Sequence, residues 1–147
     1  MIAFFAKLDS DNNVTDVFVV DQADVDNNGG DVTTESENWV KTNLLKDDSL
    51  SIKQSFLDGS FRVNPAEVGG YYDTINDVFI LVNIFPSWSL NSNFQWEAPV
   101  PKPDNYIDPL VPDYICAPFW KEVDQKWYAY DTSADKITWN PSTSVWE

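Results

Sequence analysis

Histidine is absent from this 147-residue chain. Its absence removes the commonest general base, the commonest metal ligand and every His-dependent nucleophile pair. Cysteine occurs once, at Cys116, so no intrachain disulfide can form. With no imidazole to activate it, that thiol reads as a small buried hydrophobe, and zinc would find too few ligands. Cations are scarce: nine Lys plus Arg stand against 24 Asp plus Glu, a formal net charge of -15. Such a chain repels phosphate backbones and anionic lipid, so nucleic acid and membranes are poor partners, while basic surfaces and cations are attracted. No apolar run approaches the ~18 residues of a membrane span. The opening Met-Ile-Ala-Phe-Phe-Ala-Lys has no basic leader, so the expectation is a soluble protein made in the cytoplasm without a signal peptide. Only five glycines occur, and the pairs Gly29-Gly30 and Gly69-Gly70 form neither a GxGxxG fingerprint nor a Walker loop.

What is present is aromatic and alternating. Hydrophobic residues make up 43% of the chain and aromatics 15%, spread along its length, which suits one ordinary globular domain with an appendage. Residues 2–8 and 14–20 are apolar runs separated by Asp9-Ser-Asp-Asn-Asn13, a hairpin signature. In the second half aromatics bracket polar turns in pairs: Tyr72 with Phe79, Trp88 with Trp96, Trp120 with Trp127 and Trp139 with Trp146. A three-residue turn at Asn91 to Asn93 would set Leu90 opposite Phe94 and Trp88 opposite Trp96. The expected fold class is mainly β: antiparallel hairpins and meander, as a small sandwich or open barrel-like sheet, with at most one short helix. That helix would run over about residues 35–46 behind a Thr34-Glu-Ser-Glu37 capping box, although Trp39-Val40-Lys41-Thr42 reads equally well as strand. Residues 50–63 alternate enough for one or two strands around Asp58-Gly59.

Proline sets the expected organisation. Six of the nine prolines lie between Pro99 and Pro118, where they oppose helix and central strand. The chain therefore divides into a hairpin core (1–101), a Pro-rich extended connector (102–118) and a C-terminal β-meander (119–147). The connector is either an arm laid along a neighbouring subunit or a semi-rigid spacer packed on its own domain. On the first reading Pro101, Pro103, Tyr106 and Pro109, with Trp120 and Trp127 of the meander, are the partner-binding candidates. Opposed tryptophans could alternatively form a sugar-stacking platform or simply a core.

The sharpest motif is acidic. Residues 24–35 match the calcium-loop pattern D-x-[DN]-x-[DN]-G-x5-E, with Asp24, Asp26, Asn28 and Glu35 as oxygen ligands for Ca²⁺. Asp31 stands where such loops carry an apolar residue, and the incoming segment reads as strand, so a solvated acidic loop is the competing interpretation. No other cofactor is suggested. Paired carboxylates could hydrolyse glycosides, yet no spacing singles out a pair, and the chain reads as non-enzymatic.

Several short motifs, taken in order, carry a family likeness. Phe4-Phe5-Ala6-Lys7-Leu8-Asp9 with Val17-Phe18-Val19-Val20, Phe61-Arg62-Val63-Asn64, Tyr71-Tyr72-Asp73 with Phe79-Ile80, Pro86-Ser87-Trp88-Ser-Leu90 and Gln95-Trp96-Glu97-Ala98-Pro99-Val-Pro101 together resemble small structural proteins of marine tailed bacteriophages, notably those infecting cyanobacteria. The closing Trp139-Asn140 and Trp146-Glu147 are similar to that group's ending. The resemblance covers most of residues 1–101 and the end of the chain. Two features depart from it: the helix before Trp39 is reduced, and residues 102–130 are additional. It implies a virion component, an accessory or decoration subunit that binds other capsid or tail proteins and forms a homo-oligomer in the particle. The alternative is a glycan- or host-surface-binding module of a tail fibre, assisted by Ca²⁺. Neither carries catalytic residues.

Overall fold

Strand β1, Ile2–Leu8, lies at the centre of a three-stranded antiparallel sheet in the order β2-β1-β3, with β2 at Val14–Asp21 and β3 at Ser51–Ser55. The computed structural model describes Met1–Glu147. Because side chains alternate along a strand, β1 feeds two cores. Ala3 and Phe5 join Val20, Ile52, Val25 and Val40 on one face, while Ala6 and Leu8 join Val14, Tyr72 and Phe79 on the other. The expected first hairpin is present, Phe5 opposite Phe18. Asp9 closes its turn by accepting from Asp11 N and Asn13 N, both at 2.9 Å, and Asn12 takes the left-handed conformation that asparagine tolerates.

Helices cover the first face. Helix α1, Gln22–Asn27, is capped by Asp21 and buries Val25. It occupies part of the segment read from sequence as a loop. Helix α2, Thr34–Trp39, continues into a π-helical turn, Val40–Leu44, that buries Val40, so residues 39–42 are helical and not strand. The N-cap is Thr33, one residue earlier than the expected box: its hydroxyl accepts from Ser36 N at 3.1 Å. Glu37 is thereby released from capping and turns inward. The other face is covered by the hairpin of β4, Tyr71–Asp73, and β5, Val78–Ile80, with Tyr72 opposite Phe79 as expected.

A buried ionic network ties these layers together. Arg62, the chain's one arginine, donates through Nη1 to Glu37 Oε1 and to the Gln54 carbonyl, both at 2.7 Å, and through Nε to Asp77 Oδ1 at 2.8 Å. Glu37 also accepts from Gln54 N at 3.0 Å and Lys53 Nζ at 3.1 Å. Burial works against the Arg62 charge; the hydrogen bonds and fields of Glu37 and Asp77 outweigh it and push its pKa up. Burial also raises the Tyr72 hydroxyl, which donates to Asp77. Residues 61–63 are consequently not a strand: Arg62 and Val63 both adopt φ near +60°, at 61° and 65°.

The chain separates into two units: Met1–Asn83 with Ser92–Gln95, and Ile84–Asn91 with Trp96–Glu147. The boundary expected at 101/102 thus falls inside the second unit. That unit holds β6, Ser89–Leu90, paired with β7, Trp96–Glu97; β8, Tyr106–Asp108, paired with β9, Val111–Cys116; and a four-stranded meander. The meander runs β10 (Phe119–Lys121), β11 (Lys126–Tyr130), β12 (Lys136–Asn140) and β13 (Val145–Trp146). The architecture is mainly β and antiparallel with two short helices and no closed barrel.

Candidate functional site

The second unit is organised around tryptophan. Trp120 and Trp127 face each other across β10 and β11 with ring centroids 5.3 Å apart, and Trp88 sits 6.2 and 6.1 Å from them. Trp139 pairs with Trp146 as expected. The Trp88–Trp96 pairing does not form. Leu90 stands opposite Trp96 and Ser89 opposite Glu97, because the hairpin loop is longer than three residues. Within the first unit, Asn64 Nδ2 donates to the Phe94 carbonyl at 3.0 Å, and Gln95 Nε2 donates to Asn64 Oδ1 at 2.9 Å. Residues 94 and 95 lie outside the β6–β7 ladder, with Phe94 at a φ of 61°. Trp88 packs on the meander instead of on Trp96.

Trp120 and Trp127 are correspondingly poor contact residues, 7% and 5% exposed. Their ring nitrogens are satisfied internally: Trp120 Nε1 donates to Glu122 at 2.8 Å, and Trp127 Nε1 donates to the Val100 carbonyl at 2.8 Å. Glu122 also accepts from Ser87 N and Oγ at 2.8 and 2.7 Å. The Trp120 hydrogen bond, opposed by burial and aided by the Ser87 hydrogen bonds, holds its carboxyl below the usual range. Trp127, Trp88, Trp96, Glu97, Ala98, Pro99, Pro101 and Lys102 line a cavity of about 380 Å³.

The connector is structured. Residues 106–116 form the β8–β9 hairpin, with Pro109 and Leu110 at its turn and Pro112 in a strand whose missing donor costs little in a two-stranded ladder. One face is anchored. Tyr106 packs edge-on to Trp146 at 6.2 Å, Tyr114 donates to the Tyr130 carbonyl at 3.1 Å, and Asp108 accepts from Thr132 Oγ1 at 2.7 Å. Cys116 lies on this face, half-buried rather than buried, its sulfur 3.4 Å from Tyr130 N. The opposite face carries the cross-strand pair Ile107 and Ile115, 54% and 59% exposed, and Leu110 at the turn is 90% exposed. Of the expected contact residues, Pro101 and Pro109 are exposed, Tyr106 is half-buried and Pro103 is buried. Ile107 and Ile115 were missed in the sequence, although their placement about Asp108-Pro109-Leu110 is a hairpin signal.

The calcium-loop residues are distributed over two helices. Asp24 and Asp26 lie on α1, Asn28 at its C-cap and Glu35 on α2. Asp26 accepts from Gln22 Nε2 at 2.9 Å, and Asn28 Nδ2 donates to the Asp24 carbonyl at 2.7 Å. No three acidic or cysteine side chains in the chain gather as a metal cradle. No helix is long and apolar enough to cross a membrane. No protein-family model, curated protein or solved structure matches the chain.

Proposed function

We propose that this protein is a non-enzymatic structural component of a tailed-bacteriophage particle, an accessory or decoration subunit that binds neighbouring capsid or tail proteins and copies of itself. The observation that carries the reading is the β8–β9 hairpin, anchored on one face and presenting Ile107, Ile115 and Leu110 to solvent on the other. An apolar sheet face with short free edges is what a neighbouring chain covers during assembly, and burying it would supply ~25 cal/mol per Å². The charge of -15 favours partners with basic surfaces and discourages nonspecific association between copies. The phage-protein resemblance of residues 1–101 supports the same assignment, and residues 102–130, which that group lacks, contain the docking hairpin.

Mass spectrometry of particles purified from infected cells should find the chain, and an Ile107→Asp, Ile115→Asp variant should be incorporated about tenfold less well while keeping its solution fold. Absence of the wild-type chain from particles overturns the virion assignment. Normal incorporation of the variant overturns the assigned face.

A further inference from the structure

We propose that the cavity between Trp88, Trp96 and Trp127 is a binding site for neutral glycans, distinct from the Ile107–Ile115 face. Its walls are preorganised. Trp127 is 5% exposed and tethered to Val100, Trp88 packs on both meander tryptophans, and Pro99 and Pro101 fix the backbone of the rim. The volume of about 380 Å³ falls at the small end of ligand sites, large enough for one or two sugar rings.

The residues select the ligand by elimination. Glu97 on the rim, in a chain of net charge -15, disfavours an anion. Lys102 on the same rim disfavours the quaternary ammonium groups that aromatic cages otherwise take. A proline-rich peptide is read by tryptophan N–H groups donating to peptide carbonyls, and one of the three lining indoles, Trp127, already donates its own to Val100. The lining offers a ligand the indole surface of the half-buried Trp88 and Trp96, flanked by one carboxylate and one ammonium. A pyranose matches that set: its polarised C–H face stacks on the electron-rich indole, and its hydroxyl edge can donate to Glu97 and accept from Lys102. Glu97 is already oriented, since its Oε2 accepts from Asn91 Nδ2 at 3.1 Å, and a carboxylate has capacity for further donors.

The test is a titration of the full chain, labelled with ¹⁵N, followed by its indole N–H resonances. The probes are maltotriose, cellotriose and chitotriose, each to about 10 mM, the range in which few-contact ligands saturate. At least one sugar should shift Trp88 and Trp96, the half-buried lining indoles, while leaving Trp39 of the first unit in place. Trp96→Ala should weaken binding about tenfold, and the surface change Glu97→Gln severalfold, with the Trp39 and Trp146 resonances unchanged as the check on folding. The proposal is overturned if none of the three sugars moves the Trp88 and Trp96 indoles, if the response survives Trp96→Ala, or if an Ala-Pro-Val-Pro peptide moves them and the sugars do not.

Discussion

Replacing Arg62 with Met should destabilise the first unit by about 3 kcal/mol, the low end of the 3–5 kcal/mol expected when one member of a buried ion pair is removed. The side chains of Arg62 and Glu37 are 4% and 6% exposed, so the loss leaves a carboxylate in a poorly solvated place. The low end applies because Glu37 keeps Lys53 at 3.1 Å and Gln54 N at 3.0 Å. Met fills most of the vacated volume, which keeps any cavity contribution small. The Asp77 arm adds little: its side chain is 55% exposed, and an exposed pair contributes under about 1 kcal/mol. Six of the seven tryptophans lie in the second unit, so fluorescence would report the wrong half. Amide exchange of Phe5 and Ala6 in the central strand reads the first unit directly, and about 3 kcal/mol corresponds to roughly 150-fold faster exchange. Asp77→Asn should change it less than about fivefold. Adding Glu37→Gln to Arg62→Met should recover part of the loss, since Gln keeps the acceptor for Gln54 N and removes the stranded charge. Exchange in Arg62→Met within about threefold of wild type, or a double variant less stable than the single, would refute the argument.

Two further outcomes follow from backbone strain and from charge. Val63 is a β-branched residue at a φ of 65° and is 38% exposed, so Val63→Asn should stabilise the first unit by about 0.5–1 kcal/mol, read by the same exchange measurement; destabilisation would show that Val63 packing outweighs the strain. In the second unit, the Thr132 hydroxyl and then Leu110 N hold the Asp108 carboxyl below its ordinary 3.8. A lowered carboxylate contributes stability that is present above 3.8 and is lost as pH falls through the lowered value. Thr132→Val should therefore lower the melting temperature of the second unit at pH 6, with the difference from wild type shrinking below about pH 4. A difference independent of pH, or an Asp108 carboxyl titrating at 3.8 or above in carbon NMR, would contradict this.

Local signals were legible wherever a turn and its flanking alternation sit close in sequence. The Asp9 to Asn13 turn, the Tyr72–Phe79 pair and the meander from Phe119 onward all formed in the expected register. Such pairings depend on residues a few positions apart, and alternation decides which face each side chain takes. The expected Trp88–Trp96 register did not form; residues 94 and 95 bond instead to Asn64, 30 residues away in sequence from Phe94. Glu37 likewise read as half of a capping box, but its partners are Lys53, Gln54 and Arg62.

By itself the sequence determined a mainly β, antiparallel, strongly acidic chain without histidine chemistry, since composition and short-range periodicity suffice for those conclusions. Tertiary structure alone decided that the meander tryptophans are core, that the proline segment folds into a hairpin with one bare face, and that Trp88, Trp96 and Trp127 enclose a cavity. The reason is physical: burial and concavity depend on which distant segments meet, and a long-range contact leaves no periodicity in the residues that make it.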